Sequence, residues 1–525
     1  MVYKLLRSLA VALALSLGAC TLEPHYERPP PPVPPLQGGA QGQGAQAAAD
    51  IGWREFFPDP QLQELIALAL TNNRDLRVAM LNVETAQARY RVQRAELFPT
   101  IAATGTEQVQ RFPNGVLGSS GGGGAATGGS RTPVPGTGTT TRLFDVGIGF
   151  TSYELDLFGR IRSLDHASLQ LYFNSVETRR SAQLTLVSEV ANAYLTVLAD
   201  QTLLDITRDT LKSQSESYAL TQRQFAAGTT TELALNQAET TVDTAQANLA
   251  QYNRQIAQDR DALQLLLGAP IPADVDFSHG LDRGPAVAEL EEGIPSDVLI
   301  RRPDVMAAEH QLQSANAEIG AARAAFFPSI TLTGSYGTES SQLKGLFKGG
   351  SEAWSFAPTI NVPIFTGGAN VANLRVSKLT RDTAIAQYEK AIQSAFRDVA
   401  DALVARGTLD DQLVAQQKLQ TASEKAYRLA DMRYRGGVDS YLSALVAQQS
   451  LYSAQQQLTG VRLSRLQNLV TFYKVLGGGL LEHTSARAAG AVTSPEGTVA
   501  GVPSPAGTAQ TVAPSALSQG SPASN

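Results

Sequence analysis

The chain carries one plan twice. Asp75-Leu76-Arg77-Val78 opens a stretch that ends in Phe98-Pro99-Thr100-Ile101, and Asp304-Val305 opens another that ends in Phe327-Pro328-Ser329-Ile330. Asp75, Ala86, Arg94 and Gly105 match Asp304, Ala315, Arg323 and Gly334 at a constant offset of 229. Farther on, Phe225, Gly228, Leu233, Leu267 and Gly268 match Tyr434, Gly437, Leu442, Leu476 and Gly477 at an offset of 209. The drop falls mainly in the Gly/Thr/Pro stretch 113–141, whose counterpart 337–353 is shorter. A repeat this long is no solenoid unit; it is half a molecule.

Each half reads as helix, strand, loop, strand, long helix, tight turn, helix. Pro99 and Pro328 close the first helices. Beyond Pro328, Ile330, Leu332 and Tyr336 alternate with Ser329, Thr331, Thr333 and Ser335, and Trp354, Phe356, Ile360, Val362 and Ile364 alternate in the same way. These are two-faced strands, placed at about 328–337 and 354–365, with partners at about 99–112 and 142–157 in the first half. There the alternation slips: Val146, Ile148 and Phe150 share one phase, Tyr153, Leu155 and Leu157 the other. A bulge or a strand leaving the membrane would each explain it. Four such strands cannot close a membrane barrel, because the smallest have about eight strands and open edges are not tolerated in lipid. The strands must be shared between chains: two would supply eight, three would supply twelve.

The helices carry a heptad. Leu235, Ala238, Val242, Ala245, Leu249, Tyr252, Ile256, Leu263 and Leu266 follow steps of three and four broken at Asp259, and Ala444, Ala447, Leu451, Ala454, Leu458 and Val461 repeat the register. This is coiled-coil packing through small residues. At 1.5 Å per residue, 160–225 would run about 100 Å, the return helix 231–267 about 55 Å and the opening helix 76–97 about 33 Å. The two shorter helices are expected to stack end to end beside the long one, in a tube far longer than a bilayer. The fold class is therefore mainly α with a β-barrel part.

The N-terminus reads as an export leader. Lys4 and Arg7 precede the apolar run Leu9 to Leu17, too short for the about 20 apolar residues of a membrane span. It ends in Leu17-Gly18-Ala19-Cys20, a lipobox, so Cys20 is expected to carry the lipid once residues 1–19 are removed. Loss of the leader takes the formal net charge from −6 to −8 with Lys4 and Arg7, which argues against a nucleic-acid role. Cys20 is the sole cysteine, so no disulfide forms within the chain. The chain divides into leader 1–19, Pro/Gly-rich linker 20–50, first repeat 51–268, inter-repeat linker 269–293, second repeat 294–479, and a Gly/Ala/Ser/Pro/Thr-rich tail 480–525 whose composition predicts disorder.

Enzymatic chemistry finds little support. His25, His166, His279, His310 and His483 show no metal-ligand spacing. No nucleophile elbow appears, and the glycine run 121–124 lacks the Gly-Lys-Ser/Thr of a phosphate loop. Two non-enzymatic rivals stay open: a lipid-anchored helical scaffold without a pore, and a type I protein secretion channel.

Four spaced motifs carry a family resemblance: WREFFPDPQLQELIALALTNNRDL at 53–76, YELDLFGRIR at 153–162, IPSDVLIRRPDV at 294–305 and RYRGGVDSYLSALVAQQSL at 433–451. Over nearly all of 20–480 the chain resembles TolC-type outer membrane factors, in particular the lipoprotein branch serving drug-efflux pumps. The resemblance implies a homotrimer with a 12-stranded barrel in outer-membrane lipid and a periplasmic α-barrel. It implies a periplasmic adaptor and an inner-membrane transporter of the RND type as partners, with no cofactor beyond the lipid on Cys20. With Thr21 after the cysteine, resemblance to sorted lipoproteins implies the outer membrane. Gly228, Thr229, Gly436 and Gly437 fall at the turns that meet the adaptor, although such glycines are also ordinary helix ends. The gate segment matches Tyr434 to Val446. Leu442 stands where an apolar constriction is expected. Ser443 and Val446 stand where relatives commonly place aspartates, leaving Asp439 as the nearest carboxylate for an acidic ring, or else a plain turn residue.

Overall fold

The computed structural model describes residues 21–33, 48–112, 139–281 and 300–484. The leader, Cys20, residues 113–138 of the glycine-rich loop, residues 282–293 of the inter-repeat linker and the tail beyond 484 lie outside the described residues. The elements are α1 (Trp53–Phe56), α2 (Pro60–Asn72), α3 (Arg74–Ala95), β1 (Ile101–Phe112), β2 (Thr139–Leu155), α4 (Arg160–Ala226), α5 (Glu232–Leu267), α6 (Pro303–Ala324), β3 (Ser329–Ser340), β4 (Glu352–Asn361), α7 (Ala369–Arg435) and α8 (Tyr441–Val475). The repeat is explicit: α3-β1-β2-α4-α5 recurs as α6-β3-β4-α7-α8. α4 and α7 each hold 67 residues, about 100 Å of helix. Each starts after a glycine in the left-handed region, Gly159 (φ 76°) and Gly368 (φ 88°), where the chain swings from strand into helix without a Cβ to obstruct it.

The four strands form one antiparallel sheet in the order β1-β2-β3-β4. Its register settles the slipped alternation of the first half. Phe150 pairs with Gly334 and Tyr153 with Leu332, so two residues of β2 oppose the single Thr333. This is a β-bulge, with Ser152 at φ 54° and its N–H donating to Thr333 Oγ1 at 3.3 Å. The extra residue returns Tyr153 and Leu155 to the face that holds Val146, Ile148 and Phe150. That face continues through Ile330, Leu332 and Tyr336 of β3 and Trp354, Phe356 and Ile360 of β4. Ile330 to Tyr336 covers about 20 Å of strand. The opposite face is Thr-, Ser-, Gln- and Gly-rich. β4 stops at Asn361, so Val362 and Ile364, which alternation alone would include, lie outside it. Pro363 has no N–H to continue the ladder.

The helices follow the same lateral order. Above, α3 packs on α4, α4 on α6 and α6 on α7; below, α5 packs on α4, α4 on α8 and α8 on α7. The short helices abut end to end. Asn73 accepts from Leu76 N–H (2.8 Å), capping the start of α3, and donates from Nδ2 to Leu266 O (2.8 Å) at the end of α5. Gly268 follows α5 at φ 64°, and a Cβ there would lie 2.4 Å from Asn72 O. In the second half, Arg302 occupies the position of Asn73 and donates from Nη1 to Val475 O at 3.2 Å, at the end of α8.

The main core surrounds these two joints. Trp53, Phe56, Phe57, Leu62, Leu65 and Ile66 from α1, α2 and the link between them pack on Tyr194 and Leu198 of α4 and on Phe472 and Tyr473 of α8. Asp59 starts α2 by accepting from Gln61 N–H (2.9 Å) and also takes the Tyr194 hydroxyl (2.9 Å). Residues 21–33, the described start of the Pro/Gly-rich linker, lie against the body: Leu22 O accepts from Arg323 (3.1 Å) and Pro24 O from Asn316 (2.8 Å). A Pro-rich segment resists helix and sheet, but it can still be bound by side chains along a helix.

Candidate functional site

The α4–α5 and α7–α8 turns lie at the end farthest from the sheet. Both are left-handed helix ends of one design. Gly228 (φ 71°) donates to Phe225 O and Thr229 to Gln224 O, each at 2.9 Å. Gly437 (φ 70°) donates to Tyr434 O at 3.0 Å and Val438 to Arg433 O at 2.9 Å. Gly436 caps α7. Each turn satisfies carbonyls that a helix end otherwise leaves open.

The two turns differ in charge. Arg433 holds Asp439 through two bonds, Nε–Oδ2 at 2.6 Å and Nη2–Oδ1 at 3.0 Å. The arginine's hydrogen bonds hold the Asp439 carboxyl below its usual range. Gln224 and Thr230 stand at the equivalent positions of the other turn, so that turn has no such clamp. Asp439 is therefore half of an ion pair rather than a free carboxylate.

Tyr434 joins the turns. Its ring is buried against Tyr441, with centroids 5.4 Å apart. Its hydroxyl lies 2.9 Å from Thr221 Oγ1 and donates to Gln224 Oε1 at 3.1 Å. Two further rungs tie α4 to the α7–α8 pair: Ser213 to Tyr427 (2.7 Å) and Thr207 to Tyr452 (2.9 Å). Leu442 and Val446, one turn apart on α8, are 53% and 54% exposed in the single chain. Two large apolar side chains thus stand on the surface of a helix whose other face is packed. Higher up, Asp200 of α4 faces Asp259, the residue that breaks the α5 heptad. Burial and the second carboxylate push Asp200 up to about 7.

At the other end, register places Asp145 of β2 directly opposite Glu339 of β3, on the polar face of the sheet. No Lys or Arg lies on that face among the described residues of the four strands. Sequence reading missed this pair, the tyrosine rungs and the Arg433 clamp. Cys20 lies outside the described residues, but the chain reaches Leu22 beside Arg323, where α6 runs up to β3.

The chain thus pairs an open sheet, apolar on one face, with a helical sheet of matching width. Comparison with known proteins agrees. The profile of the outer membrane efflux protein family matches residues 65–269 and 294–478, the two repeats. The "Probable efflux pump outer membrane protein TtgC" of Pseudomonas putida is 48% identical over 500 residues, covering 94% of this chain and all of that one. "Outer membrane protein OprJ" of Pseudomonas aeruginosa is 42% identical over 476 residues, covering 90% of this chain and 95% of that one. The open state of the Neisseria gonorrhoeae MtrE outer membrane channel superposes with a TM-score of 0.77 at 42% identity, covering 89% of this chain and all of that one. With both repeats matched by the family profile and most of the chain by relatives of 42–48% identity, the chain belongs to the outer membrane efflux protein family.

Proposed function

We propose that this chain is the channel subunit of a tripartite efflux pump, passively conducting small toxic molecules or drugs across the periplasm and outer membrane. The observation that carries the reading is the four-stranded sheet: one face apolar, the other polar, both edges unpaired within the chain. Lipid demands closure of such a sheet, and closure with two further copies gives twelve strands around a polar lumen. The helical sheet has the same open edges, α3 and α5 on one side and α7 on the other, and would close into the periplasmic tube with the same symmetry.

The α4–α5 and α7–α8 turns then form the periplasmic tip. Gly228, Thr229, Gly436 and Gly437 lie there to meet a periplasmic adaptor, which would link the channel to an inner-membrane RND-type transporter. Leu442 and Val446 converge from three chains into an apolar constriction, and Tyr434 ties the moving α7–α8 pair back to α4. The lipid on Cys20 would enter the inner leaflet beside the α6–β3 junction, a placement that the position of Leu22 supports. Among the described residues no metal-holding cluster stands, and the energy would come from the transporter.

Single-channel recordings in planar bilayers test the reading. The wild type is expected to show a small, mostly closed pore, and Leu442→Ala a larger or longer-lived one. If trimers insert and neither variant conducts, the channel reading fails and a lipid-anchored scaffold takes its place.

A further inference from the structure

Residues 21–28 run antiparallel to α6 and are read by side chains spaced seven residues apart on that helix. Arg323 donates to Leu22 O (3.1 Å) and Asn316 to Pro24 O (2.8 Å). Glu309 takes Arg28 through two bonds (2.8 and 2.9 Å) and the Tyr26 hydroxyl at 3.1 Å. Gly320 lets this strap lie close: a Cβ there would come within 2.9 Å of the Glu23 backbone. The strap also reaches across to α4, where His166 Nδ1 sits 2.9 and 3.1 Å from the two Glu23 carboxylate oxygens. It therefore bridges the first repeat, through α4, and the second, through α6.

Its two ionic contacts differ in kind. Glu309 is 5% exposed and is held by an arginine, which keeps its charge at any physiological pH. His166 is half-buried and can lose its charge near neutrality. We propose that Glu23 and His166 form a proton-operated latch at the lipid-bearing end of the strap, while Arg28 and Glu309 form its permanent anchor.

The groups around His166 fit both protonation states. Glu23 faces it from the strap. Asp165 precedes it on α4, and its carboxyl is pushed up by burial and drawn down by Arg94 of α3. Gln170, one turn along α4, places its amide nitrogen 3.0 Å from His166 Nε2 and its oxygen 2.8 Å from His310 Nδ1 of α6. Glu177 and Glu309 act on His310, whose proton affinity burial nevertheless lowers. In this arrangement neutral His166 donates from Nδ1–H to Glu23 and accepts at Nε2 from the Gln170 amide, while His310 Nδ1–H donates to the Gln170 oxygen. When His166 gains its second proton, Nε2–H needs an acceptor. Rotation of the Gln170 amide supplies its oxygen and turns the amide N–H toward His310 Nδ1, which accepts once His310 has released its Nδ1 proton to solvent and taken one up at Nε2. A neutral His310 is what this reversal requires.

The sign follows from linkage. Its hydrogen bond to Glu23 raises the His166 pKa, with the Glu23 and Asp165 charges adding and burial opposing. The group therefore stabilises the docked strap fully below its ordinary titration range, and that contribution is lost as pH rises through the raised value. The consequence for the lipid rests on the reading of Cys20 as acylated: in acid the residues next to Cys20 are held to the tube, and in alkali the lipid gains slack.

Hydrogen exchange of the full-length trimer in detergent, followed by mass spectrometry and corrected for intrinsic rates, tests this at about pH 5 and about pH 8.5, either side of the usual imidazole range. In the wild type, protection of residues 22–25 is expected to fall severalfold between the two. In His166→Gln and in Glu23→Gln it is expected to be low at both, while peptides covering α6 keep wild-type protection. A slope that persists in His166→Gln, or is missing from the wild type, overturns the latch. The intact mass of the N-terminal peptide reports the lipid separately: with the slope present and no acyl mass, the latch stands and the Cys20 reading falls.

Discussion

The Tyr434 ring is buried against Tyr441; its hydroxyl does more. It spans from α7 to Thr221 and Gln224 of α4, so any outward swing of the α7–α8 pair must break it. Such a bond contributes about 1 kcal/mol net. Tyr434→Phe keeps the buried ring and removes only the tie, and single-channel recordings are expected to show a higher open probability with unchanged trimer content. Family resemblance places Leu442 and Val446 near the tip, not the heptad, which runs through Ala444, Ala447 and Leu451. The hydroxyl ties were not legible in the sequence, because each partner lies more than 200 residues away. The Arg433 clamp was hidden for a different reason. Asp439 lies six positions beyond it, a spacing that brings side chains together only because Gly437 reverses the chain between them.

Among the elements, the strands show how far alternation can be trusted. It identified both faces of β3 and β4 from residue types alone. It lost phase at β2, where one inserted residue moves every later side chain to the other face unless a bulge absorbs it. Pairing between strands is a further step that residue types do not supply. Only the register shows that Asp145 and Glu339 are direct neighbours. Like charges so placed repel, and with no Lys or Arg on that face among the described strand residues they favour mobile cations in the lumen. Neutralising both, as Asp145→Asn with Glu339→Gln, is expected to bring the cation-to-anion permeability ratio, read from reversal potentials in asymmetric salt, closer to unity. The effect should be larger in dilute salt, where screening is weaker. Glu107→Gln, on the opposite face of the same sheet, is expected to leave the ratio unchanged. Composition gives residues 20–50 as a linker but not that its first part, 22–28, is bound along α6.

For the whole molecule, exposed apolar residues mark where one chain ends and the next begins. Val78, Leu81 and Val92 share a face of α3, and Val371 and Leu379 lie at the membrane end of α7; all are more than half exposed. Val92→Asp and Leu379→Asp place a charge on either edge, and each is expected to lower the trimer fraction measured by light scattering in detergent. A matched loss from two residues on opposite sides of one chain is what a ring requires; loss from only one edge would speak against it. The closed tube resembles a cask built of two sorts of stave. α4 and α7 are single lengths, whereas the staves between them are jointed at mid-height, at Asn73 and Arg302. Twist applied at the tip is carried upward by the one-piece staves and can be taken up as slip at the joints. The hoop of aromatic residues around Trp53 and Tyr473 grips the cask at that same height, so the lower end can unwind while the rim in the membrane keeps its shape.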